Sequence, residues 1–238
     1  MARIAAVAVI VRGAGRCNTS LKGIQIQQSQ ILLIERAVVE RDRYSGHVAY
    51  PGGRAQPSEH PLKDAIRETL EEVGLELTNK DHFQLIGRLT PVNRHGLAVY
   101  PFVFEQICAT TPKLTLQESE VKAAFWIPIE YLSNAEVGWD RYSIASVILP
   151  VSWRLSLSRF AKNYLPVCCT NLAEQVLSLP SIKLPSIDGE PPRYLWGMSL
   201  QILGDLFRIM SLPRYGELNP LRLRLITSMY EKFSSWGH

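Results

Sequence analysis

Three carboxylates crowd together in this sequence. Glu68, Glu71 and Glu72 follow Arg67 directly and lie downstream of a tight Pro51-Gly52-Gly53 turn. On a helix, Glu68 stands three residues from Glu71 and four from Glu72, spacings at which like charges repel by about 0.2–0.5 kcal/mol each. All three also occupy the C-terminal half of that helix, where the macrodipole disfavours anions. A helix shaped for stability would carry Lys or Arg there. Arg67 alone cannot neutralise three carboxylates, whereas a hard divalent cation such as Mg2+ prefers oxygen ligands of this kind. Taken by itself, an acidic helix face is more often a solvated surface. The residues around it decide between the two readings.

The helix is readable from Pro61 to Val73. Pro61 suits a first turn, where its missing N–H costs nothing, and Gly74 suits the position just past the end. At 3.6-residue periodicity Leu62, Ile66, Thr69, Leu70 and Val73 share one face, with Ala65 at its edge. That face is expected to pack on a sheet, leaving Asp64, Arg67, Glu68, Glu71 and Glu72 on the other side. Pro51-Gly52-Gly53 lets the backbone turn sharply and aim carbonyls at the same cation. Strands are expected at Ile4–Val11, Ile31–Glu35, Phe83–Leu89, Leu97–Phe104 and Ala123–Ile127, with a turn at Asn93-Arg94-His95-Gly96 and a helix starting at Ile129–Leu132. A helix set between strands indicates an α/β or α+β domain.

From about Ser133 the texture changes. Prolines recur at 150, 166, 180, 185, 191 and 192 between short apolar clusters, which reads as an irregular excursion. Leu195–Met210 and Leu221–Phe233 then read as helices. The 238 residues are taken as a single domain: a core over about 1–132, an irregular insertion over 133–193 and C-terminal helices over 194–238. The apolar stripe Leu221, Leu225, Met229 and Phe233 leaves core packing, a homodimer interface or a membrane surface open.

Composition sets the outer limits. With 46% hydrophobic and 20% charged residues the chain is globular in type. A net charge of +4 suits an anionic small molecule and is no strong nucleic-acid footprint. No apolar run approaches the roughly 20 residues a transmembrane helix needs, and the β-branched run after Arg3 reads as a buried strand rather than a signal peptide. Cys17, Cys108, Cys168 and Cys169 show no zinc spacing. They are read as free thiols in a reducing compartment, placing the chain in the cytoplasm, with mitochondria or peroxisomes as alternatives.

Set out in full, the segment runs Gly53, five residues, Glu59, seven residues, Arg67-Glu68, two residues, Glu71-Glu72, one residue, Gly74 and Leu75. It resembles the Nudix box of the Nudix hydrolase superfamily, with Thr69 where that family prefers an aliphatic residue. The resemblance implies a Nudix-type α/β/α sandwich with a mixed sheet, here with an extended C-terminal helical region. It implies Mg2+ (or Mn2+) held by Glu72, Glu68, Glu71 and the Gly52 carbonyl, with Arg67 holding the glutamates. It also implies water attacking a phosphoanhydride of a nucleotide-like small molecule. Glu59 would support the loop, and Arg36, Arg43 and Arg54 could grip the anhydride. For the general base, Glu68, Glu118 and Glu120 stay open, with Glu120 the better matched of the two loop residues.

Upstream, Leu32–Arg36 and Tyr44–Gly53 look like the coenzyme A pyrophosphatase branch. So do Pro101–Phe104, Glu120-Val121, Trp126–Ile129 and Leu195–Met198. The chain departs from that branch at Tyr44, which replaces a His, at Tyr50, which replaces a Phe, and in the length of Ser133–Arg193. The expected substrate is coenzyme A or acyl-coenzyme A. Alternatives are another Nudix substrate (ADP-ribose, NADH, a dinucleoside polyphosphate or capped RNA) and a non-catalytic binding module on the same scaffold. His47 is read as a structural hydrogen-bonding residue and His60 as the start of the helix.

Overall fold

The computed structural model describes residues 3–13, 28–39, 44–56, 59–94, 96–143, 176–186 and 190–210. The expected helix at Leu221–Phe233, Arg43, Cys17, Cys168 and Cys169 lie outside the described residues.

Two long apolar strands form the centre. β1 spans Arg3–Arg12 and β2 spans Gln30–Arg36. Their middles are buried on both faces, which explains why they read as continuous apolar runs rather than alternating ones. β3 (Val48–Ala49) and β4 (Gly52–Arg54) flank the Pro51 turn. After helix α1 (Pro61–Val73) come β5 (Phe83–Arg88), β6 (Val92–Arg94), β7 (Leu97–Gln106) and β8 (Val121–Pro128). Together these strands make one eight-stranded mixed sheet, ordered β3-β2-β1-β7-β5 along its main path. β1 runs parallel to β7, and the other pairings are antiparallel. The expected turn at Asn93–Gly96 is shorter than read. Asn93 and Arg94 belong to β6, which returns directly into β7.

Alternation along the strands sorts residues to two faces. Ala6, Ala8, Ile10, Leu32 and Ile34 point to a core shared with Ala65 and Val73 of α1. Val9, Val11, Ile31 and Leu33 point to the opposite core. That second core is closed by α2 (Ile129–Asn134) and α3 (Gly197–Ile209), the latter through Leu200, Leu203, Leu206 and Phe207. The layers are therefore helix, sheet, helix, as the sequence led one to expect.

Between α2 and α3 the structure departs from the sequence reading. The stretch read as irregular contains β9 (Gly138–Ser143) and β10 (Val176–Lys183). These join β11 (Tyr194–Trp196) in a separate antiparallel sheet ordered β11-β10-β9. Pro180 hid β10: it reads as a strand breaker, yet it sits inside that strand opposite Trp139. β9 has no proline, and its partner lies far along the chain. β11 also takes the first residues of the expected helix, so α3 begins at Gly197 rather than Leu195.

Candidate functional site

Helix α1 is bounded as its sequence suggests. His60 is the N-cap, its Nδ1 accepting from the Leu62 N–H at 3.2 Å, and Pro61 opens the first turn. Gly74 closes the helix in the left-handed conformation (φ 73°), donating to the Leu70 carbonyl. Its rotation about its own axis differs from the periodicity reading. Leu70, expected inward, is 49% exposed, while Asp64 and Glu72, expected outward, are 0% and 1% exposed. The buried arc runs through Asp64, Ala65, Thr69, Glu72 and Val73. Thr69 meets burial by donating its hydroxyl to the Ala65 carbonyl at 2.7 Å. The cause of the rotation is what covers the helix: α1 packs on β1 and β4, and the loop after β7 folds over its C-terminal turn. Thr115 and Gln117 donate their backbone N–H groups to the Val73 and Glu72 carbonyls. Carbonyls that water would otherwise satisfy are thus met by protein.

That burial brings Glu72 to the glycine turn. Gly52 has φ 147°, and a Cβ there would overlap the Ala6 carbonyl across the β1–β4 pairing. At Gly53 a Cβ would land on the Glu68 carboxyl. Gly52 is required because a strand backbone approaches it closely at a positive φ, whereas at Gly53 a side chain would displace the Glu68 carboxyl. The Gly52 N–H donates to Glu72 Oε2 at 2.8 Å. The contact between these two residues therefore runs through the amide. Arg36, at the end of β2, brings Nη1 to 3.7 Å from Glu72 Oε1.

Arg67 serves the other acids. Its guanidinium reaches Glu68 at 2.8 Å, Glu71 at 2.9 Å and Asp64 at 3.2 Å. These charge-assisted bonds hold its proton more tightly than in a free arginine despite partial burial. Glu71 is 55% exposed and turned onto Arg67. Glu120 sits at an exposed turn whose carbonyl accepts from Ala37 N–H, close enough to raise the pKa of both Glu68 and Glu72.

Burial pushes the Glu72 carboxyl up to about 7, with Glu68 and Glu120 adding to the rise against Gly52 and Arg36. Glu68 is also raised, first by burial and then by its acidic neighbours Glu71 and Glu120, against the pull of Arg67. Two carboxyls that resist ionisation beside the glycine turn fit a hard divalent cation. Among the described residues no group of three or more His, Cys, Asp or Glu side chains already stands in cation-holding array. A cation held here would draw on Glu68 and Glu72, with Glu71 or Glu120 turned in to join them.

Of the expected substrate cations, Arg36 reaches the site and Arg54 stands exposed at the end of β4. Neither a cavity of about 610 Å3 beside α2 nor one of about 290 Å3 between His47 and Arg193 is lined by the glutamates.

A family model described as the NUDIX domain matches residues 18–147. The chain belongs to the Nudix family. An uncharacterized protein of Schizosaccharomyces pombe is 34% identical over 192 residues, covering 76% of this chain and 56% of that protein. Nudix hydrolase 3 of Caenorhabditis elegans is 33% identical over 108 residues, covering 44% and 43%. The chain thus spans about half the length of the curated relatives it matches. Among solved structures, a C. elegans Ap4A hydrolase in a binary complex is 21% identical over 52% of this chain and 78% of that one, with TM-score 0.37.

Sequence reasoning missed Asp64 as a buried residue, and it missed the partners of Glu35. Glu35 accepts from Lys122 Nζ at 2.9 Å and Arg193 Nε at 2.6 Å. Burial opposes its ionisation, but these two cations hold it below the usual carboxylate range. A signal existed for Glu35: it closes the apolar run Leu32-Leu33-Ile34, on the face of Leu33. Nothing local foretold Arg193.

Proposed function

We propose that this Nudix chain is a Mg2+- or Mn2+-dependent hydrolase of a phosphoanhydride in a nucleoside diphosphate derivative. The preferred substrate in this reading is coenzyme A or acyl-coenzyme A. The observation that carries it is Glu72: a carboxyl 1% exposed, raised to about 7, and tied to the glycine turn beside the raised Glu68. Glu68, Glu72 and either Glu71 or Glu120 hold the cation. When bound, the metal supplies charge neutralisation and an acidified water. In this reading Arg67 orients Glu68 and Glu71, and the proton of the attacking water goes to Glu68, Glu118 or Glu120, with Glu120 preferred for its influence on both Glu68 and Glu72. Water adds across the P–O–P bridge, hydroxyl to one phosphorus and proton to the departing oxygen. From coenzyme A the products are 4′-phosphopantetheine and adenosine 3′,5′-bisphosphate.

The substrate choice is supported by the way the branch-like segments meet. Trp196 packs against His47 with ring centroids 4.7 Å apart, and Ser199 Oγ donates to the Val48 carbonyl at 3.1 Å. The segment before the glycine turn and the C-terminal segment thus build one corner. We read residues 1–238 as one catalytic unit for the same reason, with α3 covering the second face of the sheet.

The test is a Mg2+-dependent hydrolysis screen over coenzyme A, NADH, ADP-ribose, dinucleoside polyphosphates and capped RNA. The expected result is cleavage of coenzyme A at its central anhydride. Cleavage of another compound with coenzyme A left intact overturns the substrate assignment. No cleavage of any overturns the hydrolase reading.

A further inference from the structure

The buried Asp64 has no role in the scheme above, and its geometry assigns it one. We infer that Asp64 is a positioning residue that acts through Arg67, fixing the guanidinium which in turn aims Glu68. The inference rests on the proposed cation site.

Asp64 lies in the first turn of α1 and is 0% exposed. A carboxylate near a helix N-terminus gains from the macrodipole, and that gain is available at the surface, so it does not explain burial. What burial achieves is a junction. One oxygen, Oδ1, accepts from the Gln56 backbone N–H at 3.2 Å and from Arg67 Nη2 at 3.2 Å. The same Nη2 donates to Glu68 Oε1 at 2.8 Å, and Nη1 donates to Glu71 Oε2 at 2.9 Å. Asp64 therefore joins the segment leaving β4 to the arginine that holds two of the three Nudix-box glutamates.

The arrangement is poor as a stability device. Asp64 Oδ2 and Arg67 Nε are both buried with no hydrogen-bond partner among the described residues. Unmet buried polar atoms are costly, and a carboxylate retained only for the fold would be expected to satisfy both oxygens. Alanine or asparagine would avoid burying the charge. The charge matters because Arg67 faces a choice of acids. With Asp64 Oδ1 on one side, Nη2 is held where it also meets Glu68. Without that anchor the guanidinium is free to follow the exposed Glu71 into solvent, and Glu68 loses its orientation toward the glycine turn.

A double-mutant cycle tests this, using Asp64→Asn, Arg67→Gln and the pair in the full chain. Three readouts apply: melting temperature, Mn2+ affinity by electron paramagnetic resonance, and kcat against KM on the hydrolysed substrate. Partners that orient ligands typically contribute 10–100-fold. Asp64→Asn should keep or raise the melting temperature, weaken Mn2+ binding roughly tenfold, and lower kcat by a similar factor with substrate KM little changed. In the Arg67→Gln background it should do almost nothing more. Asp64→Ala, which also frees the Gln56 N–H, should lose more than Asp64→Asn. Additive losses in the cycle, or a fall in melting temperature with Mn2+ affinity and kcat intact, overturn the inference. If the wild type hydrolyses nothing, the functional reading fails, and the Mn2+ and melting readouts still decide the role of Asp64.

Discussion

Helices α1 and α3 cover opposite faces of the same sheet and follow opposite rules. α3 buries Leu200, Ile202, Leu203, Leu206 and Phe207, and closes with Arg208 in its last turn, paired to Asp205 at 2.8 Å. Arg208 stands where the dipole favours a cation, and it neutralises the one acid of the helix. α1 has no basic residue in its last turn, carries glutamates there instead, and buries Asp64 and Glu72 against the strands. One helix is what burial of apolar surface and dipole matching would select. The other departs from that pattern wherever it faces the glycine turn. Departures concentrated in one place mark where stability is given up for chemistry.

If that contrast is right, substitutions in the two helices should separate function from stability. The largest effect is expected in α1. If Glu72 holds the cation as proposed, Glu72→Gln should lower turnover by at least roughly a hundredfold, beyond what outer-shell partners usually contribute. Melting of the metal-free protein should be unchanged or higher, and steady-state kinetics beside calorimetry reads both. In α3 the opposite pattern is expected. Leu203→Ala leaves a cavity in a fully buried site and should cost about 2–5 kcal/mol in denaturant unfolding, with kcat per folded molecule unchanged.

The contrast also has a pH signature. Glu72 titrates near 7 in the fold, against an ordinary glutamate near 4.5 in the unfolded chain. Between those values the unfolded chain gives up a proton that the fold retains, so metal-free stability should fall as pH rises from about 4.5 to about 7. Above 7 the loss is complete. Mg2+ should restore stability chiefly at the upper end of that window, and Glu72→Gln should flatten the profile. Glu35 behaves in reverse. Held low by Lys122 and Arg193, it stabilises the fold above the ordinary carboxylate range, and that contribution is lost as pH falls through its depressed pKa. A Lys122→Met variant should lose part of that acid-limb slope. The smallest effect belongs to the Asp205–Arg208 pair, whose arginine is exposed. Arg208→Ala should change unfolding by no more than about 0.5 kcal/mol.

The same contrast explains what could be read from sequence. α1 was legible at both ends because Pro61 and Gly74 carry local backbone constraints. Its glutamates were legible because spacing alone sets which charges are neighbours. Which side of the helix faces inward was not. Hydrophobicity pointed Leu70 to the sheet, but β4 and the loop at Thr115–Gln117 arrive from distant sequence and cover Asp64 and Glu72 instead. Arg36 was singled out for a phosphate, and its neighbour in the structure is Glu72, a pairing that depends on how β2 sits over α1. β10 was missed because Pro180 looks like a break, and β9, which has no proline, because its pairing with β10 is long-range.

The central claim is that Glu72, buried against Gly52, holds a divalent cation with Glu68. A Mn2+ titration of wild type and Glu72→Gln at pH 8, followed by electron paramagnetic resonance, tests it directly. The account predicts saturable binding by the wild type, weakened at least roughly tenfold in the variant. Equal affinity in the two proteins would contradict it.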